Sequence, residues 1–219
     1  MMRSPSPSPI LIVIAVVTLL SMSCSEATTF KGTHLNPSKV APAFHLHDQF
    51  ANAVSLSDLL GNVVVLTFLY TNCTDICPTI TGTLNQLHKD LGDNANEVRI
   101  LAISVDPTGD SAKQAYSYSE KRDMLDKWSF LVGTEETLAP VWSAYYVAAQ
   151  REDSMGIGGA LDQLNRANPS ADVNPQELGV LITHSSAVYI IDRKGYLRVL
   201  FTNVSIDPEP LLHDILILL

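Results

Sequence analysis

The chain has 219 residues, 46% of them hydrophobic and 17% charged, which suits one globular domain with an extension. Its formal charge of −9, with no basic patch, argues against nucleic acid as a partner. Three cysteines are too few for the bridged framework of a small secreted scaffold, and a chain of this length buries a core without one.

The first segment reads as an export signal. Arg3 precedes a nearly unbroken apolar run from Ile10 to Met22, and small residues follow. That run is short for a membrane-spanning helix, which needs about 20 residues. The uncharged stretch from Ser4 to Ser25 leaves an uncleaved anchor open. Cys24 sits where a bacterial lipoprotein signal places its lipidated cysteine, although Leu20 stands one place early and Met22 is bulky. The reading is residues 1–23 as signal peptide or anchor, 24–39 as tether, and 40–219 as the folded domain. That domain is expected outside the cytoplasm, held at the membrane of a bacterial envelope.

Gly32, Asn36, Pro37 and Ser38 mark residues 30–39 as linker. Phe44 and Leu46 alternate with His45 and His47, a short strand that Ala53 and Val54 can pair with as a hairpin. Ser57 is placed to cap one helical turn that Gly61 ends. "VVVLTFLY" (63–70) is a β-branched and aromatic run, the pattern of a strand buried on both faces. Ile80, Leu84, Leu87 and Leu91 recur at helical spacing, predicting a helix over 78–91 with Pro78 in its first turn. Strands are predicted at 98–105 and 128–133, a helix from about Ser111, and another over 135–149 striped by Leu138, Trp142, Tyr145 and Ala149. The stretch from Arg151 to Gly179 is polar and rich in Gly, Asn and Pro, an excursion. Residues 187–191 and 196–201 form a hairpin, and Asp207 and Pro208 open a last helix. The fold class is α/β, thioredoxin-like, with a central mixed sheet, helices on both faces and an N-terminal β-hairpin.

"LYTNCTDICPTI" (69–80) carries the chemistry. Past Cys24, the only cysteines are Cys73 and Cys77, four apart. A bridge closing so small a loop adds little stability, so a redox pair or a metal site explains them better than a staple. They follow a core strand, where open α/β sheets place their sites. Cys77 falls at a helix start, whose orphan N–H groups are expected to ease its ionisation. Asp75 between them can accept a loop N–H, cap the helix or tune a metal. A metal needs a third ligand. Among His34, His45, His47, His88, His184 and His213, position favours His184, which the topology brings beside the cysteine loop. Two thiolates and an imidazole suit Cu(I) and also accept Zn(II). Trp128 and Trp142 read as core, Asp106–Pro107 as a turn ending a strand, and "GIGG" (156–159) as a flexible stretch without the features of a phosphate loop. Ser185 and Ser186 beside His184 lack a nucleophile-elbow context.

From "PAFHLHDQ" through "LTFLYTNCTDICP", "ISVDPTGD" and "WSFLVG" to "THSSAVYIIDRKGYLR", the chain resembles the Sco/SenC family of thioredoxin-like copper proteins. The resemblance implies Cys73, Cys77 and His184 as copper ligands. It also implies metallochaperone delivery of copper to the copper A subunit of cytochrome c oxidase, with other copper chaperones or thioredoxin-like reductases as further partners and the copper as Cu(I) or Cu(II). Asp75, Asp106 and Pro107 match the family pattern. Thr74 stands where proline is common, and Phe50, Ala51 and Asn62 replace expected Gly and Lys positions. The alternative is a tethered thiol–disulfide oxidoreductase in which Cys73 and Cys77 act on partner cysteines without metal. A structural bridge in a binding module is the third reading.

Overall fold

The computed structural model describes residues 29–147, 150–151, 182–183, 187–202 and 207–219. Most of the 151–179 excursion, His184 with its two serines, and the 1–28 segment with Cys24 lie outside the described residues. Six strands form the main sheet in the order β1 (Thr33–Val40), β10 (Tyr196–Phe201), β9 (Val188–Ile191), β4 (Val63–Leu69), β5 (Val98–Ser104), β6 (Ser129–Leu131). β4, β5 and β6 run parallel, whereas β9, β10 and β1 are joined antiparallel, so the sheet is mixed.

The parallel half is built by crossovers: β4, helix α1 (Ile76–Asp90), β5, helix α2 (Ala112–Lys121), β6. Every residue of β4 is buried. Side chains alternate between faces, so both sides of the sheet at β4 are covered. α1 buries Ile80, Leu84 and Leu87, the expected stripe, and packs against the last helix, α4 (Glu209–Leu218). Ser111 caps α2 by accepting the Gln114 N–H. Trp128 and Trp142 are buried, and their indole N–H groups donate to Ser119 Oγ and the Ser104 carbonyl, both at 2.9 Å.

The hairpin β2 (His45–His47) and β3 (Ala53–Ser55) forms a separate two-stranded sheet with Leu46 in and both histidines out. It closes the β6 edge. The Gln49 side chain accepts the Phe130 N–H at 2.7 Å and donates to the Trp128 carbonyl at 3.1 Å, satisfying groups an edge strand leaves open. Two-residue strands β7 (Gln150–Arg151) and β8 (Ile182–Thr183) pair antiparallel.

Three expectations need correction. Residues 33–39 are an edge strand rather than linker. β1 pairs with β10, and the buried Asp214 carboxylate on α4 accepts the Lys31 and Gly32 N–H groups at 2.7 and 2.9 Å. The single turn at Leu56–Leu59 is a 3-10 helix with Ser55, not Ser57, at its N-cap. Helix α3 (Glu135–Ala144) stops short of residue 149, because Tyr146 takes a positive φ of 56° and turns the chain away. Ala149 lies outside the described residues.

Candidate metal and redox centre

β4 delivers the chain at its C-terminal end into the loop Tyr70–Asp75, and α1 begins at Ile76. Cys73 and Cys77 are buried, at 6% and 0% exposure, and no disulfide joins them. The Cys73 N–H donates to the Tyr70 carbonyl at 3.3 Å, folding the loop back on the strand end. The Cys77 N–H donates to Cys73 Sγ at 3.4 Å. The helix N-terminus therefore serves Cys73, not Cys77, as anion acceptor.

This overturns the expected easy ionisation of Cys77. Its thiol is pushed up, first by its own hydrogen bond to Cys73 and then by burial; a backbone hydrogen bond at Tyr70 offsets part of this. The contact from the Cys77 N–H favours negative charge on Cys73 Sγ over Cys77 Sγ. Asp75 holds the N-cap position of α1 but makes no side-chain cap bond and lies exposed, so the capping reading does not hold.

Around the sulfurs stands a hydrogen-bonded frame. Asp110, buried at the end of the turn after β5, accepts from the Thr71 N–H at 3.0 Å, Thr71 Oγ1 at 2.6 Å and Ser104 Oγ at 2.6 Å. It ties the cysteine loop to the neighbouring strand. Burial pushes its carboxyl up to about 6, against the pull of those donors and with the Asp106 charge adding to the rise. Asp106 and Pro107 form the predicted turn: the Asp106 carboxylate accepts the Gly109 N–H at 3.0 Å. On the other side, Tyr118 of α2 meets Thr81 Oγ1 at 2.9 Å, and Thr81 donates to the Cys77 carbonyl at 2.8 Å.

Among the described residues no group of three His, Cys, Asp or Glu side chains is arranged to hold a metal. Cys73 and Cys77 come together; His184 lies outside the described residues. The other histidines are elsewhere: His34 is exposed against Phe30, His45 bonds Ser55 Oγ at 2.7 Å, His47 is exposed on β2, His88 is half-buried on α1, and His213 contacts Asp214. Sequence reasoning missed Asp110, Thr71, Ser104 and Tyr118. The only signal was an acid directly after a buried strand and turn, which reads equally as a solvated residue.

A mixed sheet with a cysteine pair between its central parallel strand and the following helix defines a thioredoxin-like protein. The SCO1/SenC family model matches residues 32–219, and the chain belongs to that family. A SCO1 protein homolog from Bacillus subtilis is 36% identical over 95 residues, spanning 43% of this chain and 49% of that protein. The structure of Bradyrhizobium japonicum ScoI with copper bound aligns at TM-score 0.64 and 25% identity, covering 83% of this chain and 100% of the other. A third likeness, at TM-score 0.55 and 23% identity over 84% of this chain and 95% of the other, is to BsSco, described as having a disulfide switch and as belonging to a family of cytochrome c oxidase assembly proteins.

Proposed function

We propose that this chain is an exported, membrane-tethered copper carrier that binds Cu(I) through Cys73, Cys77 and His184 and passes it to the copper A subunit of cytochrome c oxidase. The observation that carries the reading is the buried pair of sulfur side chains held together at the end of β4. Soft sulfur donors suit Cu(I), and their burial excludes water from the cargo. A relative solved with copper bound adds support. Thr67 Oγ1 on β4 donates to the Ala187 carbonyl at 3.1 Å, which ties the residue before β9 to the strand that leads into the cysteine loop. The tether rests on the sequence of residues 1–24. Among the described residues no helix is long and apolar enough to cross a membrane.

The chain's own residues do the following. Cys73 and Cys77 lose their thiol protons as they take the metal, so loading releases protons. Cys73 gives up its proton more readily because the helix N–H stabilises its thiolate. The Asp110–Thr71 contact holds the loop while the cargo enters and leaves.

A second reading is favoured by the same N–H to sulfur contact, which places the two cysteines side by side. As a thiol–disulfide reductase, the Cys73 thiolate attacks a partner disulfide and displaces one partner thiolate. Cys77 then attacks the mixed disulfide, so the partner leaves as a dithiol and Cys73–Cys77 becomes the disulfide. Native mass spectrometry of the fully reduced chain with one equivalent of Cu(I) tests the first reading. A one-copper adduct that Cys73→Ser abolishes is expected; no adduct in the wild type overturns it.

A further inference from the structure

A cleft of about 240 Å³ opens between the cysteine loop and α2, with Thr71 and Asn72 on one wall and Ser117, Tyr118, Lys121 and Arg122 on the other. It is smaller than the usual small-molecule site of about 300–1,000 Å³, and takes side chains rather than a whole ligand. Its two cations stand out in an acidic chain. Among the described residues neither Lys121 nor Arg122 forms an ion pair. The adjacent Asp123 is already engaged by Lys127 at 2.5 Å. The Arg122 guanidinium lies 5.1 Å from the centroid of the Tyr118 ring, and Tyr118 reaches the Cys77 carbonyl through Thr81. One packing chain thus fixes a cation and a cysteine relative to each other.

We infer that this cleft is the docking groove for an acidic segment of the polypeptide that exchanges copper or electrons with Cys73 and Cys77, its carboxylates received by Lys121 and Arg122. The inference rests on the proposed role of the cysteines only in that the partner must approach them. The charge distribution supplies the orientation. A chain of net charge −9 repels an acidic partner at long range, so a local pair of cations beside the site selects the one approach that brings the partner to the sulfurs. Tyr118 and the cysteine loop then bound the segment on both sides, and Arg offers a carboxylate a planar, two-pronged contact.

The test is fluorescence anisotropy with fluorescein-labelled hexaglutamate, titrated with the detergent-solubilised full chain at low salt. Amide shifts map where the peptide sits. Binding that moves Thr71, Asn72 and Ser117 is expected, weakened about tenfold in Lys121→Glu/Arg122→Glu. A variant of equal charge change at the opposite ends of the strands, Arg99→Glu/Lys194→Glu, should weaken it less than about twofold. Both of those residues are exposed. Equal loss in the two variants, no binding to the wild type, or displacement by an equimolar amount of inorganic phosphate overturns the inference. Cys73→Ser/Cys77→Ser should still bind the peptide. No copper binding by the wild-type chain with peptide binding intact therefore removes the proposed carrier role and leaves the groove, whereas copper binding without peptide binding removes only the groove.

Discussion

The Cys77 amide points its hydrogen at Cys73 Sγ across 3.4 Å, so the first turn of α1 stabilises negative charge on the sulfur outside the helix. The Cys77 thiol, itself hydrogen-bonded to Cys73 and fully buried, is pushed up. Cys73 is thus the attacking or first-loaded sulfur and Cys77 the second. Limited alkylation of the reduced chain with iodoacetamide, followed by peptide mass spectrometry, should modify Cys73 at least about tenfold faster than Cys77. Equal rates, or Cys77 first, contradict this order.

Asp110 imposes a pH dependence on stability. Its carboxyl titrates at about 6 in the fold against an ordinary 3.8, chiefly because it is buried. The folded state holds the proton more tightly than the unfolded chain does. That stabilisation is complete below pH 3.8 and is lost as pH rises through about 6. The loss amounts to roughly 2–3 kcal/mol. In Asp110→Asn the amide oxygen can still accept from Thr71 and the amide nitrogen can donate to Ser104 Oγ. Urea unfolding between pH 4 and 7 should therefore show a flatter slope in the variant than in the wild type; parallel curves contradict the assignment.

Asp214 fastens the start of the sheet to its last helix. Fully buried, it accepts two backbone N–H groups from residues 31 and 32 and touches His213 Nδ1 at 2.9 Å. Asp214→Ala leaves both donors without their acceptor. It should cost about 2–4 kcal/mol in urea unfolding and open the β1 edge to proteolysis. A loss under about 0.5 kcal/mol contradicts the clasp.

Gly109 sits where a side chain has no room. A Cβ there would lie 2.1 Å from Asp106 Oδ2. Gly109→Ala must push the Asp106 carboxylate out of the turn that leads to Asp110, at a cost of about 1–3 kcal/mol. A thermal melt matching the wild type contradicts this.

What the sequence made legible was what packing alone decides. β4 and β5 announced themselves as continuous apolar runs, and α1 by the spacing of Ile80, Leu84 and Leu87, because burial against a sheet leaves no other pattern. β1 escaped notice since most of its side chains are exposed; it is held by backbone pairing to β10 and by Asp214, more than 180 positions away. The cysteine pair and its place after a core strand were readable. The order of ionisation was not, because which sulfur receives the helix N–H depends on how the loop folds back at Tyr70. Asp110 was hidden for a related reason: an acid after a turn looks solvated until Thr71 and Ser104 are seen around it.

The central claim is that the two sulfurs and a distant imidazole share one Cu(I). Competition against a chromophoric Cu(I) chelator, with wild type and His184→Ala both fully reduced, measures it directly. The account predicts one tightly held copper per wild-type chain and an affinity lower by about tenfold or more in the variant. Identical affinities in the two proteins would contradict it and leave the cysteine pair to thiol chemistry alone.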